Sequence, residues 1–220
     1  MKSIFFSLAT LALSAFAAPA IAEGSLAATA AGVVAAEADF AIEKRAQTAE
    51  DLINAIVKTT DNINTIGVSI NVTLSKVKTG AITKQVGALQ VTVNLQKVLG
   101  EIGTLLSKVL FAARIAVPKE LLEPVVKAVE RLVLATVIIF GAVLETLGLS
   151  GVPSAIVSLT FNLVASLFTG LIGVFGRDIA PGLQLIVQSL LAENFPAQLA
   201  ALLAPSLKFL AGIIGQYIGN

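Results

Sequence analysis

Apolar residues recur along this chain at three- and four-residue steps over most of its length, the spacing that lines up one face of an α-helix. Leu52, Ile56, Ile63, Ile66, Ile70, Leu74 and Val77 keep this rhythm, with Asp61, Asn64 and Lys76 off the face. Glu50 and Asp51 stand where a helix dipole favours negative charge, and Thr79-Gly80 predicts the stop. A second helix is expected from about Ala81 past Leu110, with Ile82, Val86, Leu89, Val93 and the pairs Leu105/Leu106 and Val109/Leu110 facing inward. A competing pattern runs through both segments. Val68-Ile70-Val72-Leu74 and Leu89-Val91-Val93-Leu95 alternate with polar residues at period two, as a half-buried strand would. The three-four spacing extends beyond both windows, which favours helix and leaves a local two-stranded element as the alternative.

Pro118, followed by Lys119 and Glu120, fits the first turn of a third helix that runs through Val125, Val129 and Leu132 to Leu147. Pro124 is tolerated near that start or marks the true one. Gly148 to Pro153 predicts a turn. Between Glu145 and Arg177 there is no charged residue, and Ala155 to Phe175 is long enough to cross a bilayer core of ~30 Å. Ser158, Asn162, Ser166, Thr169 and Gly173 nevertheless share one stripe of that helix. This seam has three readings: the wetter face of a helix in a soluble bundle, a close small-residue helix contact in a membrane, or a face toward a partner or pore. Ile138, Phe140, Phe161, Leu167 and Phe168 are the expected apolar packing or contact residues. Arg177-Asp178 and Pro181-Gly182 predict a polar turn, and shorter helices follow over Leu183 to Asn194, Ala197 to Leu203 and Ser206 to Ile218, punctuated by Pro196 and Pro205. The expected fold is all-α, a bundle of about five to six helices with a very apolar C-terminal half.

The N-terminal region is organised differently. Lys2, an apolar stretch from Ile4 to Leu13, and small residues at Ala15/Ala17 and Ala20/Ala22 read as a signal peptide over residues 1–22, with cleavage after Ala17 or Ala22. Residues 23–45 form an alanine-rich segment with Glu23, Glu37, Asp39 and Glu43, and end in Lys44-Arg45, a dibasic processing site that predicts a mature domain over residues 46–220. This layout resembles that of small secreted fungal preproproteins with Lys-Arg processing. Asn71-Val72-Thr73 matches the acceptor motif for N-glycosylation, which the secretory route would make reachable.

Composition sharpens the picture. The chain is 56% hydrophobic and 13% charged, against about 25% charged in ordinary soluble domains. Charge is also uneven: residues 46–131 carry seventeen Lys, Arg, Asp and Glu, and residues 132–220 only five. A net charge of +1 without a basic stripe argues against nucleic acid as a partner. There is no histidine and no cysteine, so the usual general base, thiolate chemistry, disulfides and the commonest metal ligands are missing together. Acid–base work needs two acids converging across a cleft, whereas Glu120 and Glu123 are close only within the first turn of one helix, where helix-dipole complementarity accounts for them. Gly170, Gly173 and Gly176 lack the lysine of a phosphate-binding loop, and no serine sits in a nucleophile-elbow frame. No enzyme chemistry and no cofactor is expected.

A secreted chain with so oily a second half points to a non-enzymatic helical protein that binds a hydrophobic surface, membrane lipid or a cell-wall component, an effector role being one form of this. Spaced aliphatics with Lys58, Lys76, Lys84 and Lys97 between them, over Ala49 to Leu110, loosely resemble the fungal hydrophobic-surface-binding cell-wall protein family. The resemblance implies a surface-binding role; the signal peptide makes the expected location secreted or cell surface, and self-association is a further option. The uncharged stretch beyond Thr146 departs from that family's pattern. Two rival readings stand beside it: a pore-forming or membrane-inserting protein using a hydrophobic hairpin at 132–176, and a lipid carrier.

Overall fold

Thr48 fixes where the first helix begins. Its hydroxyl oxygen accepts from the Asp51 backbone N–H at 3.1 Å while the Asp51 carboxylate accepts from the Thr48 N–H at 2.9 Å, a reciprocal capping box. The computed structural model describes residues 48–112, 118–148, 151–192 and 197–218, which belong to a unit spanning Ala46–Asn220; residues 1–22, the 23–45 segment and Lys44-Arg45 lie outside the described residues. The described residues form six α-helices: α1 (Ala49–Lys78), α2 (Lys84–Phe111), α3 (Lys119–Leu147), α4 (Ser154–Phe175), α5 (Ala180–Ala192) and α6 (Ala197–Ile218), with a 3-10 turn at Arg177–Ile179 between α4 and α5. Gly80 stops α1 with φ 73°, a left-handed conformation that a side chain resists. The fold is all-α, and no strand occurs among the described residues.

The two strand-like windows are helical, and burial explains their alternation. Ile70, Leu74, Val91 and Leu95 are buried, whereas Val68, Val72, Leu89 and Val93 are exposed. A second, outward apolar line beside the buried one imitates period two. For α2 this corrects the expected inward face. Val86, Leu89 and Val93 point to solvent and Leu110 is partly exposed; the buried line is Gly87, Val91, Leu95, Val98, Ile102, Leu105 and Val109. Gly87 is the reason: a Cβ there would lie 2.3 Å from Val77 Cγ2, so α1 closes on a position that hydrophobicity does not mark.

The first four helices run up-down-up-down. α1 and α2 are antiparallel, tied by Asn62 Nδ2 donating to Glu101 Oε2 at 2.9 Å. α3 lies beside α1 and parallel to it: Ile53 and Val57 meet the Glu120–Arg131 segment, and Gly67 lies over Ile139. α4 lies beside α2 in the same sense, with Gly103 facing Leu163 and Gly170 against Val109. Phe140 of α3 and Phe161 of α4 join the two halves, ring centroids 5.7 Å apart and planes tilted by 54°. α5 and α6 pack on one another and reach α3 through Gly182 on Val126 and Leu199 near Gly141, while α6 also covers α4.

The interior is made without ionised groups among the described residues. Three of its buried hydroxyls are satisfied within their own helices, Thr60 to Ile56 O at 2.9 Å, Thr136 to Leu132 O at 2.8 Å and Thr160 to Ile156 O at 2.8 Å, so these bring little unmet polarity inside.

Two expected interruptions are absent. Pro181-Gly182 is the first turn of α5 and not a free turn: proline suits a first turn, and Gly182 allows the close approach to Val126. Pro205 does not split the last segment. It sits on the exposed side of α6 while Leu203, Leu207, Leu210 and Ile214 are buried along one line, so burial holds the helix through the missing hydrogen bond.

Candidate functional site

Polar chemistry gathers at two shallow recesses. One, of about 480 Å³, lies between α1 and α3 and is lined by Ile53, Val57, Glu120, Glu123, Pro124, Lys127, Ala128 and Arg131. Glu123 and Lys127 pair there at 2.7 Å, both well exposed. The Lys127 hydrogen bond and charge hold the Glu123 carboxyl below its ordinary range. The other, of about 200 Å³, is the α1–α2 recess around Asn62 and Glu101. Both are lined by charged side chains and open to water, which suits neither a buried acid–base pair nor an acyl chain.

The apolar residues singled out in the sequence divide. Phe140, Phe161, Leu167 and Phe168 are buried in the core, and only Ile138 is exposed, at 67%. On α4 the seam forms the wetter edge of an internal helix: Ser158, Asn162 and Gly173 are exposed, Ser166 and Thr169 half-buried, with Thr169 Oγ1 donating to Ala165 O at 3.1 Å. Of the three glycines there, Gly170 meets Val109, Gly173 faces open space, and Gly176 ends the helix with φ 83°. Asn71 is exposed in the last third of α1.

Exposed apolar surface in the second half concentrates on α5 and α6 instead. Among the described residues two helices are long and apolar enough to cross a membrane, but α4 is 61% buried over its most apolar stretch and Leu199–Ile218 only 31%. α6 turns Leu199, Leu203, Leu207, Leu210 and Ile214 inward and leaves Pro205, Lys208, Phe209, Gly212 and Gly215 outward. α5 buries Leu183, Ile186, Val187 and Leu190 and exposes Leu185 and Leu191. Leu185 and Phe209 are each 66% exposed, and Lys208 is the only charged residue in the described part of 180–218. Such a surface is poorly hydrated and contains few groups that water can ionically solvate.

Sequence reasoning assigned the apolar surface to the second half as a whole, named Ile138, Phe140, Phe161, Leu167 and Phe168 as its contact or packing residues, and did not single out Leu185 or Phe209. The available signal was their position: each stands off the buried line of an amphipathic helix where a polar residue would normally be. No family profile, characterised protein or solved structure matches this chain.

Proposed function

We propose that this is a secreted, non-enzymatic helical protein that attaches to hydrophobic surfaces, membrane lipid or an apolar cell-wall component among them, through the outward faces of α5 and α6. The observation that carries the reading is the coincidence on those two helices of large exposed apolar side chains with a nearly charge-free surface. Full burial of a Leu or Phe side chain contributes about 1.5–3 kcal/mol. Covering the exposed two-thirds of Leu185 and of Phe209 is therefore worth about 1–2 kcal/mol each, or roughly tenfold in affinity per residue. Lys208 fits the same surface, since its aliphatic stem lies along the apolar layer while the ammonium reaches water.

The test compares the chain starting at Ala46 with a Leu185→Asp/Phe209→Asp double variant, sedimented with phosphatidylcholine vesicles and with polystyrene particles. Wild type should pellet with both, and the double variant should stay in solution with its helical circular dichroism intact. Vesicles that keep an entrapped dye support attachment. Dye release would favour the pore-forming reading, and its motivating observation is that the Leu199–Ile218 stretch is long and apolar enough to span a bilayer. Wild type left in the supernatant in both assays would refute the proposal.

A further inference from the structure

A second apolar strip follows the groove between α1 and α3. Ile53 and Val57 form one wall of that groove at its start, opposite Lys127 and Arg131. Three-, four- and seven-residue steps along α1 lead from Val57 through Asn64 to Val68 and Asn71, and the same steps along α3 lead from Arg131 to Ile138. Val68 is 64% exposed, Val72 beside it is exposed, and Ile138 adjoins the Ile139 that lies against Gly67. Asn71 thus emerges at the rim of an apolar strip, and it is the only asparagine of the chain in an Asn-x-Ser/Thr frame.

We infer that Asn71 carries an N-linked oligosaccharide, added before α1 closes, that shields this strip; the inference rests on the secretory route of the proposed function. The order of events follows from the helix. Asn71 and Thr73 are two residues apart, about 200° around the helix axis. Thr73 is buried with its hydroxyl donating to Ser69 O at 3.1 Å, while Asn71 faces out. A transferase that reads amide and hydroxyl together therefore meets both only on the unfolded chain. In the transfer, the anomeric C–O bond of a lipid-pyrophosphate-linked oligosaccharide breaks and a C–N bond to the Asn71 side-chain nitrogen forms. The amide proton passes to a base on the transferase and the lipid pyrophosphate leaves. Once α1 closes, the bulky, hydrated sugar stands beside Val68, Val72 and Ile138.

The test is translation of the full chain with eukaryotic microsomes, wild type beside Asn71→Gln and Thr73→Ser. Wild type and Thr73→Ser should gain one endoglycosidase-sensitive mobility step, and Asn71→Gln none. A protease-protected chain without the step overturns the inference while the secretory reading stands; a chain left outside the microsomes overturns both. The shielding is read separately on secreted protein: Asn71→Gln should bind more of an apolar fluorescent dye than the glycoprotein, with equal helical circular dichroism. Equal dye binding would overturn the shielding.

Discussion

Replacing Phe140 with alanine tests whether the oily second half is first of all the protein's own core. Phe140 is fully buried and meets Phe161 at 5.7 Å between ring centroids, where α3 joins α4. Truncating a buried phenylalanine costs about 3–5 kcal/mol through lost transfer energy and the cavity left behind. That is a large share of the 5–15 kcal/mol or so that holds a typical domain. Phe161→Ala should cost a similar amount, and because a tilted aromatic pair contributes about 0.5–1.5 kcal/mol beyond area, the double variant should fall short of the sum by about that much. The chain has no tryptophan and one tyrosine, so denaturant unfolding is best followed by far-ultraviolet circular dichroism. A Phe140→Ala loss under about 1 kcal/mol, or strict additivity with Phe161→Ala, would refute the packing of α3 on α4.

Two glycines should respond to alanine with opposite signs. A Cβ at Gly182 would come within 2.5 Å of Val126 Cγ2, a short, stiff side chain, so Gly182→Ala should destabilise by about 1–3 kcal/mol. Gly173 has nothing within 4 Å of such an atom, and Gly173→Ala should stabilise α4 by up to about 1 kcal/mol; thermal midpoints check both. Pro205→Ala on the exposed side of α6 restores a helix hydrogen bond and should stabilise by about 1–3 kcal/mol, and a lower melting midpoint would contradict an unbroken α6. The Thr48 backbone N–H and then its hydroxyl hold the Asp51 carboxyl below its ordinary range. Its support for α1 is therefore complete above that range and lost as pH falls through the depressed folded value. Wild type should melt above Asp51→Asn at neutral pH, the gap closing in acid; a gap independent of pH would argue against the cap.

The parts of this fold that were legible in the sequence are those where one strong period has no competitor. α1 is the clearest, since its capping residues, aliphatic line and terminal Thr79-Gly80 all agree. α3 and α4 follow from prolines and glycines at their ends. The inward face of α2 was hidden because its position of closest approach is Gly87, which has no hydrophobicity to count, while Val86, Leu89 and Val93 supply an apolar line that points outward. Pro205 misled for a related reason. A local rule about proline was overridden by burial of four aliphatic residues along one face, a term that belongs to tertiary packing. The candidate contact face shares this limit. Composition locates the oil in the second half, but only the packing separates Leu167 and Phe168, which are sealed inside, from Leu185 and Phe209, which are not.

The absence of tryptophan makes a direct measurement of the contact face possible. Single variants Phe209→Trp on α6 and Ile138→Trp on α3, each secreted from the full chain with Asn71 intact, report the polarity around one indole as lipid vesicles are added. Attachment through α5–α6 predicts a blue shift and loss of aqueous quenching for the tryptophan at 209, with the tryptophan at 138 unchanged. An indole at 209 that stays water-exposed at saturating lipid, or a shift at 138 alone, would contradict it.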